Sequence, residues 1–232
     1  MFDERYARQV MLPEIGEEGQ RRLASASVLL VGLGGLGSTV APALAGAGVG
    51  RLGLCDPDVV SWSNLPRQTL YTEEEVGRPK CEMARRRLAA LSSATHFDCI
   101  AEGLTPENAE RLAASYDLVV DCCDNFATRY LIDDACAAAG RPWVYGSIGP
   151  FDGQVSLFNH RRGVSYATLY PDREALCSAP RRTLGVLGGV PAVIGAIEAT
   201  EALKLLAGME PSLDGRLLLF DLKTMHCETI DI

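Results

Sequence analysis

No two cysteines stand in a C-x-x-C pair, although eight occur, at positions 55, 81, 99, 122, 123, 136, 177 and 227. That spacing is the usual sequence mark of a tetrathiolate zinc site, so no zinc is expected. Several of these cysteines lie inside apolar runs, where the thiol acts as a small hydrophobe, and they imply no disulfide framework. Positive charge is also scarce. The 22 Lys and Arg stand against 30 Asp and Glu, leaving a net charge of −8, which argues against broad nucleic-acid binding because phosphate neutralisation needs clustered cations. The opening residues, Met1-Phe2-Asp3-Glu4-Arg5, lack the apolar core of a secretory leader, so a cytoplasmic location is the expectation. No stretch reads as a membrane span. Residues 27–50 are uncharged but broken by repeated glycines and Pro42, and residues 183–197 are too short and run on into Glu198 and Glu201. There is no internal repeat, linker or low-complexity tract.

Hydrophobic residues at 47% and charged residues at 22% are the balance of a globular enzyme, and the length suits one sizeable α/β domain over residues 1–232. The chain is organised around Val28-Leu29-Leu30-Val31, a strand-like run that empties into Gly32-Leu33-Gly34-Gly35-Leu36-Gly37 and then a helix-compatible stretch from Ser38 to Ala47. Glycines 32, 34 and 37 satisfy G-x-G-x-x-G. The first permits a tight turn, the second close approach of a phosphate and the third strand–helix packing, with free N–H groups at the helix start facing the anion. Glycines serving only a buried turn are the alternative. Arg51 to Cys55 forms a second strand ending in Asp56, about 20 residues beyond Gly37, the spacing at which a carboxylate meets the ribose of a bound nucleotide. Asp56 could instead be a loop or cap residue before Pro57.

Residues 3–12 predict a short helix or arm, and Gly16 to Leu23 a second helical stretch leading to the first strand. A polar segment from Ser61 to Leu70 carries Arg67, and Lys80 opens a helix running to Leu91; cations in such places suit a triphosphate, although singly each reads as a surface charge. Phe97 to Ile100 is a candidate strand, and Thr105-Pro106 predicts a helix start with Thr105 as N-cap. The strand 117–123 delivers Asp124 to the C-terminal edge of the sheet, where it could hold Mg²⁺ against phosphate oxygens or cap the helix 127–139. Trp143 to Ser147 and Gly153 to Phe158 read as strands, the second antiparallel. Residues 159–183 show no period and read as a long mobile loop. A helix from Val190 to Leu206 and two final strands complete an α/β, Rossmann-like, doubly wound sheet, mostly parallel with antiparallel C-terminal strands.

With Arg5-Tyr6-Ala7-Arg8-Gln9, the glycine loop, Asn64-Leu65-Pro66-Arg67-Gln68, Gly77-Arg78-Pro79-Lys80, Asp124-Asn125 and Ile194 to Ala202 in order along the chain, the sequence resembles the MoeB/ThiF/HesA family, relatives of the ubiquitin-activating enzymes. The resemblance implies an adenylyltransferase that uses ATP and Mg²⁺ to activate the C-terminal Gly-Gly carboxylate of a ubiquitin-like sulfur-carrier protein, releasing pyrophosphate, for thiamin- or molybdopterin-type biosynthesis. It implies that Gly34, Gly35 and Leu36 cradle the nucleotide and that Asp56, with Asp58 beside it, holds the ribose. Ser63, Asn64, Arg67, Gln68 and Lys80 would line the phosphates, and Cys123, Asp124 and Asn125 the metal side, with Asp124 on Mg²⁺. Arg8 would act as an arginine finger in the other subunit of a homodimer. Zinc-binding relatives carry C-x-x-C where this chain has Ser165-Tyr166-Ala167-Thr168 and again near the C-terminus, where Cys227 stands alone. Cys177 is the candidate for thioester or persulfide chemistry, its thiolate favoured by Arg181 and Arg182. The competing readings are an NAD-dependent oxidoreductase, a non-catalytic partner of the same fold, and the family branch that dehydrates threonylcarbamoyl-adenosine on transfer RNA.

Overall fold

The computed structural model describes residues 4–180 and 185–232. The chain runs α1 (Ala7–Val10), α2 (Gly16–Ser25), β1 (Ser27–Val31), α3 (Gly37–Ala47), β2 (Arg51–Cys55), α4 (Lys80–Leu91), β3 (His96–Ile100), α5 (Ala109–Ala114) and β4 (Leu118–Asp121). It continues through α6 (Phe126–Ala139), β5 (Trp143–Ile148), β6 (Asp152–Phe158), α7 (Tyr166–Leu169), α8 (Arg173–Ser178), α9 (Gly189–Ala207), β7 (Arg216–Asp221) and β8 (His226–Asp231).

The strands form one sheet in the order β3-β2-β1-β4-β5-β6-β7-β8. The first five are parallel and the last three antiparallel, as the sequence leads one to expect. β1 shows why its run is almost wholly apolar: a parallel strand covered on both faces needs no polar side. Val28 and Leu30 join a core under α3, α4 and α9, whereas Leu29 and Val31 point the other way, into a core with Ala109, Leu112, Ala135 and Cys136 of α5 and α6. The order reverses between β1 and β4, and ligands of open α/β sheets sit at the carboxyl ends of strands flanking such a switch point. Both the glycine loop after β1 and the Asp124 loop after β4 leave the sheet there.

Two expectations are corrected. Residues 105–108 form a turn, and α5 begins only at Ala109 with Asn108 at its N-cap position. The Asn108 side chain accepts from the Thr105 amide at 2.8 Å and donates to the Gly103 carbonyl at 2.9 Å, a local closure that competes with helix. Residues 159–183 hold α7 and α8, capped by the side chains of Ser165 and Asp172. Each is too short for an amphipathic period to show in sequence. α7 is tethered through Asp133, which accepts from the amides of Tyr166 and Ala167. Tyr166 completes an aromatic cluster with Tyr130, Trp143, Tyr145 and Phe158. Among the described residues, no helix is long and apolar enough to cross a membrane.

Candidate nucleotide site

The turn after β1 is built from glycine at the two points where nothing else fits. Gly32 has φ +99°, and a Cβ on it would lie 2.5 Å from the Cys122 carbonyl oxygen; a Cβ on Gly37 would strike the Gly32 carbonyl. These are the first and third glycines of the motif, so the turn and the packing roles read from it are those seen. The loop hands over to α3, whose N-cap position, Leu36, offers no side-chain cap. Consequently the amides of Gly34, Gly35, Leu36 and Gly37 have no acceptor among the described residues. Four unpaired donors at the positive end of a helix form an anion cradle.

Asp56 leaves β2 only 5% exposed. Its Oδ2 accepts from the Leu33 amide at 2.7 Å and its Oδ1 from the Asp58 amide at 2.8 Å, so it shapes the glycine loop as well as standing where a ribose acid is expected. The Leu33 carbonyl is held from the other side by the Tyr71 hydroxyl at 2.9 Å. Burial, followed by the charge of Asp56, raises the Tyr71 phenol far above its ordinary range, so it remains a donor. Nothing in the spacing of the sequence marks Tyr71. Lys80, at the first position of α4, is 5% exposed with Nζ 2.9 Å from Asp58 Oδ2 and 3.8 Å from Asp56 Oδ2. Its reading as an ordinary surface charge is therefore overturned.

The segment 61–68 lies over the loop. Asn64 Oδ1 accepts from the Ser61 amide at 3.2 Å, and the half-buried Arg67 donates to the Ser63 carbonyl at 2.7 Å. Gln68 is buried against Gly34, with its Oε1 unpartnered among the described residues. A buried acceptor without a partner is costly, and it marks a place where a bound group completes the site.

Across the switch point, Asn125 rather than Asp124 caps α6, its Oδ1 accepting from the Thr128 amide at 2.9 Å. Asp124 is left exposed, with no hydrogen bond or ion pair among the described residues. Cys123 contributes main-chain groups: its amide donates to Asp121 Oδ1 at 2.9 Å and its carbonyl accepts from Arg129 at 3.1 Å. Burial raises the neighbouring Cys122 thiol well above its ordinary range, which excludes it as a thiolate nucleophile at neutral pH. Below these groups Glu198 of α9 is wholly buried, and neither carboxyl oxygen has a partner among the described residues. Burial first, and the charge of Asp121 second, push its carboxyl well above the carboxylate range against the pull of Arg129.

These groups suit a nucleoside triphosphate with a divalent metal: free amides and cations for phosphates, the buried Asp56 with the exposed Asp58 for the sugar side, and the exposed carboxylate of Asp124. No group of three or more His, Cys, Asp or Glu side chains capable of holding a metal occurs among the described residues. A metal at Asp124 would therefore take most of its oxygens from phosphate and water, as Mg²⁺ does.

Two expected site residues lie elsewhere. Arg8 is exposed on α1, which packs at the far end of α3, where Gln9 donates to the Ala47 carbonyl at 3.1 Å and the Tyr6 ring lies against Gly48. The 11 residues of α3 put about 16 Å between that end and the glycine loop. Cys177 is exposed on α8, which packs on α6, with Arg173 paired to Asp134 at 2.7 Å and stacked on Tyr130. Arg181 and Arg182, invoked for its thiolate, lie outside the described residues.

The profile of the family described as ThiF family matches residues 6–232. A sulfur carrier protein adenylyltransferase from Thermus thermophilus is 47% identical over 224 residues, covering 94% of this chain and 83% of that one. The adenylyltransferase and sulfurtransferase MOCS3 of Sus scrofa is 48% identical over 223 residues, covering 94% of this chain but 48% of its own. The chain thus spans about half the length of MOCS3. Among solved structures, E. coli MccB with ATP superposes with a TM-score of 0.85 at 23% identity over 99% of this chain and 72% of that one. PaaA does so with 0.85 at 21% over 100% and 76%; at such identities the likeness is one of fold.

Proposed function

Because the chain belongs to the ThiF family, we propose that it is an adenylyltransferase that uses ATP to activate the C-terminal Gly-Gly carboxylate of a ubiquitin-like sulfur-carrier protein, releasing pyrophosphate. We read residues 1–232 as one adenylating domain working in the cytoplasm, without zinc, and its product as serving sulfur transfer in thiamin- or molybdopterin-type biosynthesis. The observation that carries this reading is the pairing of four amides at Gly34 to Gly37 with the carboxylate of Asp124 across the switch point, none of which has a partner among the described residues. The Thermus thermophilus relative, named for that chemistry, adds weight because it aligns over nearly the whole chain.

In this reading the Gly34, Gly35 and Leu36 amides and the side-chain N–H of Gln68 bind the phosphates. Asp56, with Asp58 beside it, holds the ribose. Lys80, Arg67, Asn64 and Ser63 line the path of the charge that builds as the carrier's carboxylate oxygen bonds to the α-phosphorus and the bond to the departing pyrophosphate breaks. Asp124, positioned by Cys123 and Asn125, holds Mg²⁺, which when bound supplies positive charge to the phosphate oxygens. No protein base is needed, since the attacking carboxylate is already ionised at neutral pH. Arg8, remote from its own loop, serves the site of the second subunit in a homodimer.

The test is ATP–pyrophosphate exchange with a small carrier ending in Gly-Gly, alongside thermal shifts with ATP·Mg²⁺ and with NAD. Exchange in the native protein and its loss in Asp124→Ala, with the fold intact, are expected. A thermal shift with NAD alone, or undiminished exchange in Asp124→Ala, would overturn the assignment.

A further inference from the structure

Beneath the Asp124 loop lies an ion pair to which the scheme above gives no task. Asp121, the last residue of β4, is fully buried, and Arg129, in α6, is 6% exposed. Arg129 Nε donates to Asp121 Oδ2 at 3.0 Å, and Nη2 donates to the carbonyls of Cys123 at 3.1 Å and Gly146 at 3.2 Å. Asp121 Oδ1 accepts from the Cys123 amide at 2.9 Å. Both main-chain polar groups of Cys123 are thus held by one pair of side chains. The guanidinium is further confined by the ring of Tyr145, 5.4 Å from its carbon. On the other side of Asp124, Asn125 is fixed as the cap of α6. Asp124 is therefore a carboxylate with no partner among the described residues, standing between two immobilised neighbours.

Stability is a poor reason for this arrangement. A buried ion pair contributes no more than a well-packed apolar pair and often less, because desolvation offsets the attraction. What the pair supplies that an apolar pair cannot is geometry: a planar fork that meets an acid and two carbonyls at once. We propose that Arg129 and Asp121 are positioning residues for Asp124, acting through the Cys123 peptide to aim its carboxylate at the metal of a bound triphosphate. The proposal rests on the adenylating reading, in which Asp124 meets that metal.

The experiment is binding of Mn²⁺ to the ATP complex of the full chain, followed by electron paramagnetic resonance, with ATP affinity in the absence of metal measured alongside. Arg129→Lys keeps a cation beside Asp121 but cannot span three acceptors. It is expected to leave metal-free ATP affinity within about twofold and to weaken Mn²⁺ about tenfold, the low end of what losing a supporting contact behind a metal ligand costs. Unchanged Mn²⁺ affinity in Arg129→Lys, or an equal loss of metal-free ATP binding, overturns the positioning role. Should Arg129→Lys fail to fold, Asp121→Asn takes its place: it retains an acceptor for the Cys123 amide, loosens Arg129, and should weaken Mn²⁺ in the same direction. Asp124→Ala separates the two levels. If that variant holds Mn²⁺·ATP as tightly as the native protein, the adenylating reading of Asp124 fails and the proposal with it; a weakened Asp124→Ala beside an unaffected Arg129→Lys overturns the proposal alone.

Discussion

Glu198 shows how a single residue writes itself into a stability profile. Its carboxyl is buried among Cys122, Asp121 and Arg129, and burial holds its folded-state pKa well above the ordinary glutamate range. Above about pH 4.5 the unfolded chain releases this proton while the folded chain keeps it. The unfolded state then binds fewer protons, and stability falls as pH rises, by up to about 1.4 kcal/mol per unit until the folded carboxyl itself ionises. Glu198→Gln removes the titration and sacrifices no hydrogen bond among the described residues, where neither oxygen makes one. We expect the variant to be more stable than the native protein at pH 8, with an advantage that shrinks towards pH 5. Urea titrations at those two values check it, and a pH-independent difference would refute it. Lys80 makes a second case, since its neighbours Asp56 and Asp58 hold it in place. Lys80→Ala should abolish the thermal shift given by ATP·Mg²⁺, and a retained shift would count against a phosphate role.

Elements act through their ends. α6 begins with a side-chain cap from Asn125, so Asn125→Ala should lose about 1 kcal/mol of stability, whereas Asn125→Asp, an equally good cap, should lose little. Calorimetric melting of the pair checks this, and equal losses would mean that the cap is not what Asn125 contributes. α3 begins the opposite way, uncapped. In most helices Gly→Ala stabilises, but a methyl group on Gly37 would meet the Gly32 carbonyl. Gly37→Ala should therefore destabilise by about 2 kcal/mol and weaken nucleotide binding together, because the strand–helix approach that forms the cradle would open. A stabilised Gly37→Ala would show the contact to be loose.

For the molecule as a whole the question is where Arg8 works. Its helix sits at the end of α3 opposite the glycine loop, and the role proposed for it is one in the site of a second subunit. Arg8→Ala and Asp124→Ala should each be inactive alone, yet mixing them should restore activity. In a two-fold dimer with random exchange, about a quarter of the sites would combine an intact Asp124 with an intact Arg8 from the partner. Exchange assays on the mixture after subunit exchange check this, and no recovery would place Arg8 outside the reaction.

Much of the plan is legible in sequence because it rests on local rules. The apolar run of β1, the glycines at 32 and 37 and the alternation of strands with helices each reflect a backbone requirement that only certain residues meet, and a mostly parallel sheet follows from them, although the strand order does not. Helix ends were harder: Thr105 and Asp124 both look like caps, but Asn108 stands at the start of α5 with its side chain closing the turn back to Thr105, and Asn125 caps α6 by accepting from the Thr128 amide. α7 and α8 are hidden in sequence because helices of four and six residues are too short to show a period. Tertiary structure alone decided that Lys80 is buried, that Tyr71 pins the glycine loop, that Arg129 and Asp121 brace the Cys123 peptide, and that Arg8 stands apart. Such facts join residues distant in the chain, and which partners meet depends on how the layers pack. Sequence by itself determined that a strand, a glycine turn and a helix would make an anion cradle; packing determined which side chains surround it, because burial and pairing exist only once the chain has folded.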